Sequence, residues 1–247
     1  MKLIFLGTNG WYSNRSANTI CTLLETEKNY IVFDVGDGIY KLDGFITDKK
    51  PIILFLSHLH IDHIVGFHIF PKFCFENDMT IICPKGTKKD LEKIIGHPFT
   101  ASLSERNFKV TINEVGEGRY KIPVAYECKK IFHADLCFGY RLETEGKAIS
   151  YLCDTGICDN AKALAHNANV VIHECSMGPS VLAGDWGHTN PEEVARMAKE
   201  VGVKKLFLTH FSAAEYPSQK ERRVAQEIAQ KIFPETICAV DDLIVGI

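Results

Sequence analysis

The stretch SHLHIDHIVG, residues 57–66, follows the apolar run PIILFL and places His58, His60, Asp62 and His63 within six positions. An apolar run of that length reads as a buried strand entering a loop. In an extended segment residues two apart share a face, so His58 and His60 point the same way at the strand's carboxyl end. Asp62 and His63 come one step later, as the chain turns into a helix beginning IVGF. The four side chains then converge, and imidazole with carboxylate is a good donor set for zinc, manganese or iron. A lone histidine here would be a turn residue. Four potential ligands in six residues, behind a fully apolar strand, point to a metal site.

One stretch rarely completes a hydrolytic site, and other strand ends offer further ligands. His133 ends ECKKIF, Asp154 ends AISYLC and precedes Thr155-Gly156, and His210 ends KLFLT. Singly, each reads as a cap or turn residue. Their repetition at strand ends favours a shared site.

The remaining sequence sets the frame. A chain of 247 residues, 46% hydrophobic and 24% charged, suits a globular protein with a sizeable core. A net charge of −3 gives no global basic field for nucleic acid. The short basic runs KKPI (49–52) and KGTKK (85–89) read as solvated turns. Nine cysteines, an odd number without any C-x-x-C, read as reduced and mostly buried thiols. MKLIFLGTNG lacks the apolar core of a signal peptide, and no stretch approaches the ~18 apolar residues of a membrane span. A cytoplasmic protein without a membrane partner is the expectation.

Strands are expected at 2–6, 20–25, 30–34, 52–57 and 80–84, then at 108–115, 122–132, 137–143 and 148–154. A helix ending LEKIIG closes at Gly96 and Pro98. Beyond residue 154 helices and strands alternate: helix 159–167, strand 169–175, helix 191–201, strand 205–209, and a last helix from Ser218 to before Pro234. Helix 191–201 has the clearest start, with Asn190 as cap, Pro191 at its first position and Glu193 completing a capping box. Two halves each supply strands and helices, so an α/β sandwich in one domain, residues 1–247, is the reading. Spacing does not give the sheet order.

The residues H-x-H-x-D-H at 58–63, His133, Asp154 and His210 resemble, in order, the metal ligands of the metallo-β-lactamase superfamily. The blocks FLGTNG (5–10), FDVGDG (33–38), GYRLE (139–143), CDTG (153–156) and LTHFSAAEY (208–216) are similar to its ribonuclease Z-type branch. The resemblance implies an αββα four-layer sandwich with two divalent ions, usually zinc, with manganese or iron in some members. By the same resemblance His58, His60 and His133 hold one ion, Asp62, His63 and His210 the other, and Asp154 bridges them. A hydroxide shared by the ions would then attack the substrate, oriented in part by Asp62. HECS (173–176) and GHTN (187–190) resemble paired motifs of the branch's phosphodiesterases, in which a glutamate-held histidine protonates the leaving oxygen. Here these are Glu174 and His188; the bland alternatives are a strand-end carboxylate and a turn residue.

The other histidines read as structural. His68 is expected to pack on the helix after the motif, His97 to sit in a turn before a proline, and His166 to lie near a helix end. His173 points away from Glu174 if its strand is regular.

The chain departs from the branch in one respect. Ribonuclease Z enzymes of the usual kind insert a long arm that grips transfer RNA between the Gly-Tyr-Arg block and the bridging aspartate. ETEGKAIS offers only a turn there, which turns the reading away from transfer RNA. The cysteine-rich extra zinc site of some small-molecule cyclic phosphodiesterases is also missing, since residues 10–21 hold only Cys21. Asn14, Arg15 and Asn18 in that first loop suit either a phosphate or ordinary turn chemistry. The expected function is a dinuclear metal-dependent phosphodiesterase acting on a small or short phosphodiester, cyclic or nucleotide-like. The alternatives are a ribonuclease Z-type endonuclease, an ester, thioester or lactam hydrolase on the same metals, and a non-catalytic metal-binding accessory protein. Homologous folds often dimerise, so a homodimer is a further expectation.

Overall fold

The computed structural model describes every residue except Ala183. The first strands are β1 (Lys2–Gly7), β2 (Asn9–Gly10), β3 (Cys21–Glu25), β4 (Tyr30–Phe33), β5 (Ile52–Phe55), β6 (Met79–Pro84) and β7 (Val110–Val115). There follow β8 (Gly118–Tyr120), β9 (Tyr126–Lys130), β10 (Phe138–Thr144), β11 (Lys147–Leu152) and β12 (Val170–Glu174). The last are β13 (Leu206–Thr209), β14 (Phe211–Ser212), β15 (Thr236–Cys238) and β16 (Ile244–Gly246). The α-helices are α1 (Ile61–Ile64), α2 (Lys88–Ile94), α3 (Asp159–Ala165), α4 (Pro191–Glu200) and α5 (Gln219–Gln230). The chain divides into two compact units, Met1–Gly7 with Asn18–Gly116 and Asp241–Ile247, and Thr8–Ala17 with Glu117–Val240.

The first unit carries the sheet β16-β1-β3-β4-β5-β6-β7. Its first four strands pair antiparallel, and β4 to β7 run parallel. Ile4, Leu6, Leu23, Val32, Leu54 and Ile81 on one face pack with Phe67, Phe70 and Phe73. Leu3, Phe5, Ile31 and Phe55 on the other face are also buried. Burial of both faces explains why these strands read as continuous apolar runs rather than alternations. Each fully buried side chain of this kind contributes roughly 1.5–3 kcal/mol.

The second unit repeats the plan in the sheet β15-β13-β12-β11-β10-β9-β8. Here β8 to β11 pair antiparallel, and β11, β12, β13 and β15 run parallel. Val194, Ala195, Met197 and Ala198 of α4 and Ala225 and Ala229 of α5 join Leu152, Val171, Leu206 and Leu208 in one core. The Asn190–Glu193 capping box forms with Pro191 at the start of α4, and a second box joins Ser218 and Glu221 ahead of α5. β10 (Phe138–Thr144) and β11 (Lys147–Leu152) are joined by Glu145 and Gly146 alone, at φ 49° and 73°. Two residues at positive φ make the tightest kind of hairpin turn. No arm is inserted between Arg141 and Asp154.

Three expectations are corrected. The helix expected from IVGF begins earlier, as α1, so Asp62 and His63 lie inside it; residues 65–72 wind as a 3₁₀ helix. Pro71 lacks the N–H that an α-helical ladder needs there. His68 does not pack: its side chain is exposed and its Nδ1 donates to the Val65 carbonyl. The strand expected over 122–132 shortens to β9, because Ile122 and Pro123 lie in an exposed turn ahead of it. His97 and His166 sit as expected, in a turn and at the end of α3.

Candidate metal centre

The first unit supplies the four residues of the opening motif. His58 and His63 are fully buried, and His60 and Asp62 are partly exposed. The His58 ring centroid lies 4.4 Å from that of His60 and 4.1 Å from that of His63. His63 Nε2 is 3.6 Å from Asp62 Oδ2. The three imidazoles crowd together, and Asp62 lies against His63.

Their orientation is set by two residues that sequence reasoning left without a role, Asp34 and Ser57. Asp34 is fully buried directly after β4, at φ 56°. Its Oδ1 accepts the Ser57 N–H at 2.8 Å; its Oδ2 accepts the Ser57 hydroxyl at 2.8 Å and His63 Nδ1–H at 2.8 Å. A carboxylate only accepts, so His63 carries its proton on Nδ1 and leaves the Nε2 lone pair for a metal. The Ser57 oxygen, its own proton given to Asp34, lies 3.0 Å from His58 Nδ1 and fixes that ring the same way. The signal was available as the first aspartate of FDVGDG (33–38), but its partners are distant in sequence.

The second unit supplies His133, Asp154 and His210, all buried. Asp154 Oδ1 is 3.0 Å from His210 Nε2, and Asp154 Oδ2 is 3.9 Å from His133 Nε2. One carboxylate thus faces a different imidazole with each oxygen. Asp154 at φ 54° and His210 at φ 51° repeat the left-handed conformation of Asp34 just past a strand. Such conformations are costly for side-chain-bearing residues and gather at functional sites. Ser176 Oγ donates to the His210 carbonyl at 3.0 Å and lies 3.0 Å from His210 Nδ1, again leaving Nε2 as the outward atom. Cys153 Sγ donates to Asp154 Oδ1 at 3.4 Å. A Cβ on Gly10 would fall 2.4 Å from the His210 ring, so only glycine lets β2 lie against it.

Glu174 and His188 also belong to this unit. Glu174 is fully buried at the end of β12, its Oε1 accepting the Thr189 hydroxyl and its Oε2 the Ser176 N–H, each at 2.7 Å. His188 Nδ1 stands 3.7 Å from Glu174 Oε2, beyond hydrogen-bond length. Its ring centroid is 5.4 Å from that of His133 and 6.2 Å from that of His210. His173 points to the opposite side and is fully buried; its Nδ1 donates to the Glu174 carbonyl, and burial lowers its pKa. The first loop uses ordinary turn chemistry, with Asn14 Oδ1 accepting from Ser16 and Ala17 N–H groups and Asn18 donating to Asp241.

These donor sets fit divalent metal ions. Imidazole nitrogens and carboxylate oxygens are the ligands such ions take, and hydrogen bonds at Nδ1 aim three of the rings through Nε2. Of the nine free cysteines, Cys153 stands with Asp154 and His210 among these donors; most of the nine are buried, and burial raises the thiols of Cys21 and Cys175.

A mixed α/β fold with buried histidines and aspartates clustered at strand ends defines a metallo-hydrolase. The chain belongs to the β-lactamase superfamily: residues 48–211 match its domain description. It is 27% identical to ribonuclease Z of Bacillus licheniformis over 304 positions, covering 98% of this chain and 97% of the relative. Since this chain has 247 residues, the relative carries insertions within the matched region. Among solved structures it is similar to the metallo-β-lactamase fold protein YhfI of Bacillus subtilis, at TM-score 0.80 and 20% identity, over 99% of both chains. It is also similar to the short form of human tRNase Z, at TM-score 0.78 and 21% identity, over 100% of this chain and 99% of that one. Among the described residues no helix is long and apolar enough to cross a membrane.

Proposed function

We propose that this chain is a dinuclear zinc phosphodiesterase for small or short phosphodiesters. His58, His60 and His133 serve one ion, Asp62, His63 and His210 the other, and Asp154 both. The observation that carries the reading is His188. Its side chain is 16% exposed, against 1% for His133 and 3% for His210, so it alone of the three reaches solvent. That position suits a group that gives up a proton rather than one that holds a metal.

Divalent ions bound by these residues supply Lewis acidity toward water and toward the phosphoryl oxygens. The protein supplies the rest. Asp62 orients the attacking water through a carboxylate oxygen. Water adds its oxygen to phosphorus and releases a proton to the Asp62 carboxylate, the P–O bond to the leaving alcohol breaks, and His188 Nε2–H gives its proton to the departing oxygen. Asp62 then returns its proton to solvent and His188 takes one up, so both start the next turnover as before. An alkoxide is a poor leaving group without that proton. Glu174, held by Thr189 and Ser176, sits behind Nδ1 and stabilises the charged imidazole.

The two-residue β10–β11 turn supports a small substrate over transfer RNA, as does the absence of a basic field. A cytoplasmic location accompanies this reading. The test is to measure metal content, then hydrolysis of an aryl phosphodiester, a cyclic nucleotide and a precursor transfer RNA. His188→Ala should slow alkyl leaving groups about 10²–10⁴-fold and activated aryl ones far less. Equal losses on both would remove His188 from its role. Efficient transfer RNA cleavage would overturn the small-substrate assignment.

A further inference from the structure

The chain has two tryptophans, and both are exposed: Trp11 by 69% and Trp186 by 66%. Tryptophan is usually highly buried on average, so two left in solvent ask for a reason. Each adjoins in the chain a glycine whose backbone lies against a histidine of the second unit. Trp11 follows Gly10, whose backbone lies against the His210 ring. Trp186 is two residues before His188, and the intervening Gly187, at φ 71°, lies so close to Phe132 and His133 that a Cβ would fall 2.4 Å from the Phe132 carbonyl.

Trp11 is also held outward at a cost. It has φ 69°, and the Tyr12 N–H donates back to the Gly10 carbonyl at 2.9 Å, closing a three-residue turn around it. Turns of this kind with positive φ are rare and strained. Asn9 Nδ2 donates to the Tyr12 and Ala17 carbonyls at 3.1 Å each and keeps the turn in place. The Tyr12 ring meets the Trp11 ring edge-on, with centroids 5.1 Å apart and planes at 71°. The arrangement braces the indole from one edge while the residue stays largely exposed.

We propose that Trp11 and Trp186 are stacking surfaces for the nucleobase of the substrate, which makes the substrate a nucleotide phosphodiester. The inference rests on the phosphodiesterase reading and narrows its substrate class. Indole faces stack any base, so the platform gives affinity for a base without selecting one. The chain's net charge of −3 supplies no global basic field, which fits a mononucleotide or dinucleotide in place of a long strand.

Tryptophan fluorescence of the purified full-length protein tests this, excited at the red edge where adenine does not absorb. AMP is expected to quench it and to bind roughly tenfold or more tightly than ribose 5-phosphate, which has the phosphate and sugar but no base. Trp11→Phe leaves only Trp186 as reporter, and Trp186→Phe leaves only Trp11. AMP-specific quenching in each assigns that tryptophan to the base. Its absence in W186F overturns Trp11, and its absence in W11F overturns Trp186. Equal binding of AMP and ribose 5-phosphate to the wild type overturns both, while hydrolysis of base-free phosphodiesters would leave the phosphodiesterase reading standing. Conversely, AMP-specific quenching without hydrolysis of any phosphodiester would sink that reading and keep the stacking surface.

Discussion

Replacing Asp34 by asparagine sets two requirements against each other. Asp34 accepts three hydrogen bonds at 2.8 Å while fully buried: Ser57 N–H on Oδ1, and Ser57 Oγ–H with His63 Nδ1–H on Oδ2. An asparagine keeps the shape but offers one oxygen. If that oxygen takes the Oδ1 position, the amide NH₂ confronts His63 Nδ1, which must accept. His63 then carries its proton on Nε2 and loses the lone pair a metal needs. If the oxygen takes the Oδ2 position, the NH₂ meets the Ser57 backbone N–H, and a buried donor is left without an acceptor at about 1–3 kcal/mol. The first outcome weakens metal binding about 10–100-fold, the usual effect of losing such a partner. That range is about 1.4–2.8 kcal/mol, so the two outcomes are close in energy and the protein takes whichever is smaller. The assay is a zinc competition titration against a chelator, alongside urea unfolding of the metal-free protein. Asp34→Asn should lose about tenfold or more in zinc affinity, or about 1–3 kcal/mol of metal-free stability. Asp34→Ala, which leaves three buried donors exposed to neither water nor acceptor, should lose both. Wild-type affinity together with wild-type stability in Asp34→Asn would refute the tautomer argument.

Four further outcomes follow from the same geometry. Asp154→Ala should lower bound-metal stoichiometry by at least one ion; unchanged stoichiometry would sink its shared role. Gly10→Ala places a methyl against the His210 ring and should cut zinc affinity while leaving helix content unchanged by circular dichroism. Burial lowers the His173 pKa, so below about pH 6.5 the unfolded chain takes up a proton that the folded chain refuses. This contribution should be full above that pH and fall by up to about 1.4 kcal/mol per unit below it, so metal-free His173→Leu should show a shallower loss than wild type by about that slope in paired urea titrations. Arg222, buried with its guanidinium donating to Thr8 and Asn9 and lying 4.6 Å from the Phe211 ring centroid, ties β2 to the segment carrying His210. Arg222→Lys should destabilise by about 2 kcal/mol or more in urea, because an ammonium cannot reproduce the planar fork.

Much of the fold was legible because burial on both faces leaves apolar runs that survive in sequence as such. β1, β5 and β13 were found within a residue or two of their ends for this reason. Capping chemistry made α4 readable from Asn190-Pro191 and Glu193. The segment after the metal motif was not readable. IVGFHIFPKFCF has helical apolar spacing, yet Pro71 and the close approach of Gly66 to the Gly36 carbonyl force a tighter winding. Its rings then form a ladder, with Phe67, Phe70, Phe73 and Phe75 each 4.8–5.5 Å from the next. Local pattern could not show this, since the cause is a backbone contact some thirty residues away in sequence.

The site divides along the same line. Every proposed ligand was named from sequence, because ligand chemistry restricts residue type and strand ends restrict position. The residues that decide which nitrogen faces outward were not named. Asp34, Ser57 and Ser176 are ordinary residue types, and their roles exist only through hydrogen bonds at 2.8 to 3.0 Å across the fold. Nor does sequence show that Asp34, Asp154 and His210 share a left-handed backbone just past a strand. That shared conformation has a physical use. In a regular strand successive side chains alternate faces, so a terminal residue would continue into one sheet face or the other. A single left-handed residue breaks the alternation and turns the side chain off the strand's end. Aspartate and histidine tolerate this better than β-branched residues, and they are also good metal ligands and acceptors for ligand histidines. Replacing any of the three with valine would therefore remove a polar group and penalise the backbone that aims it.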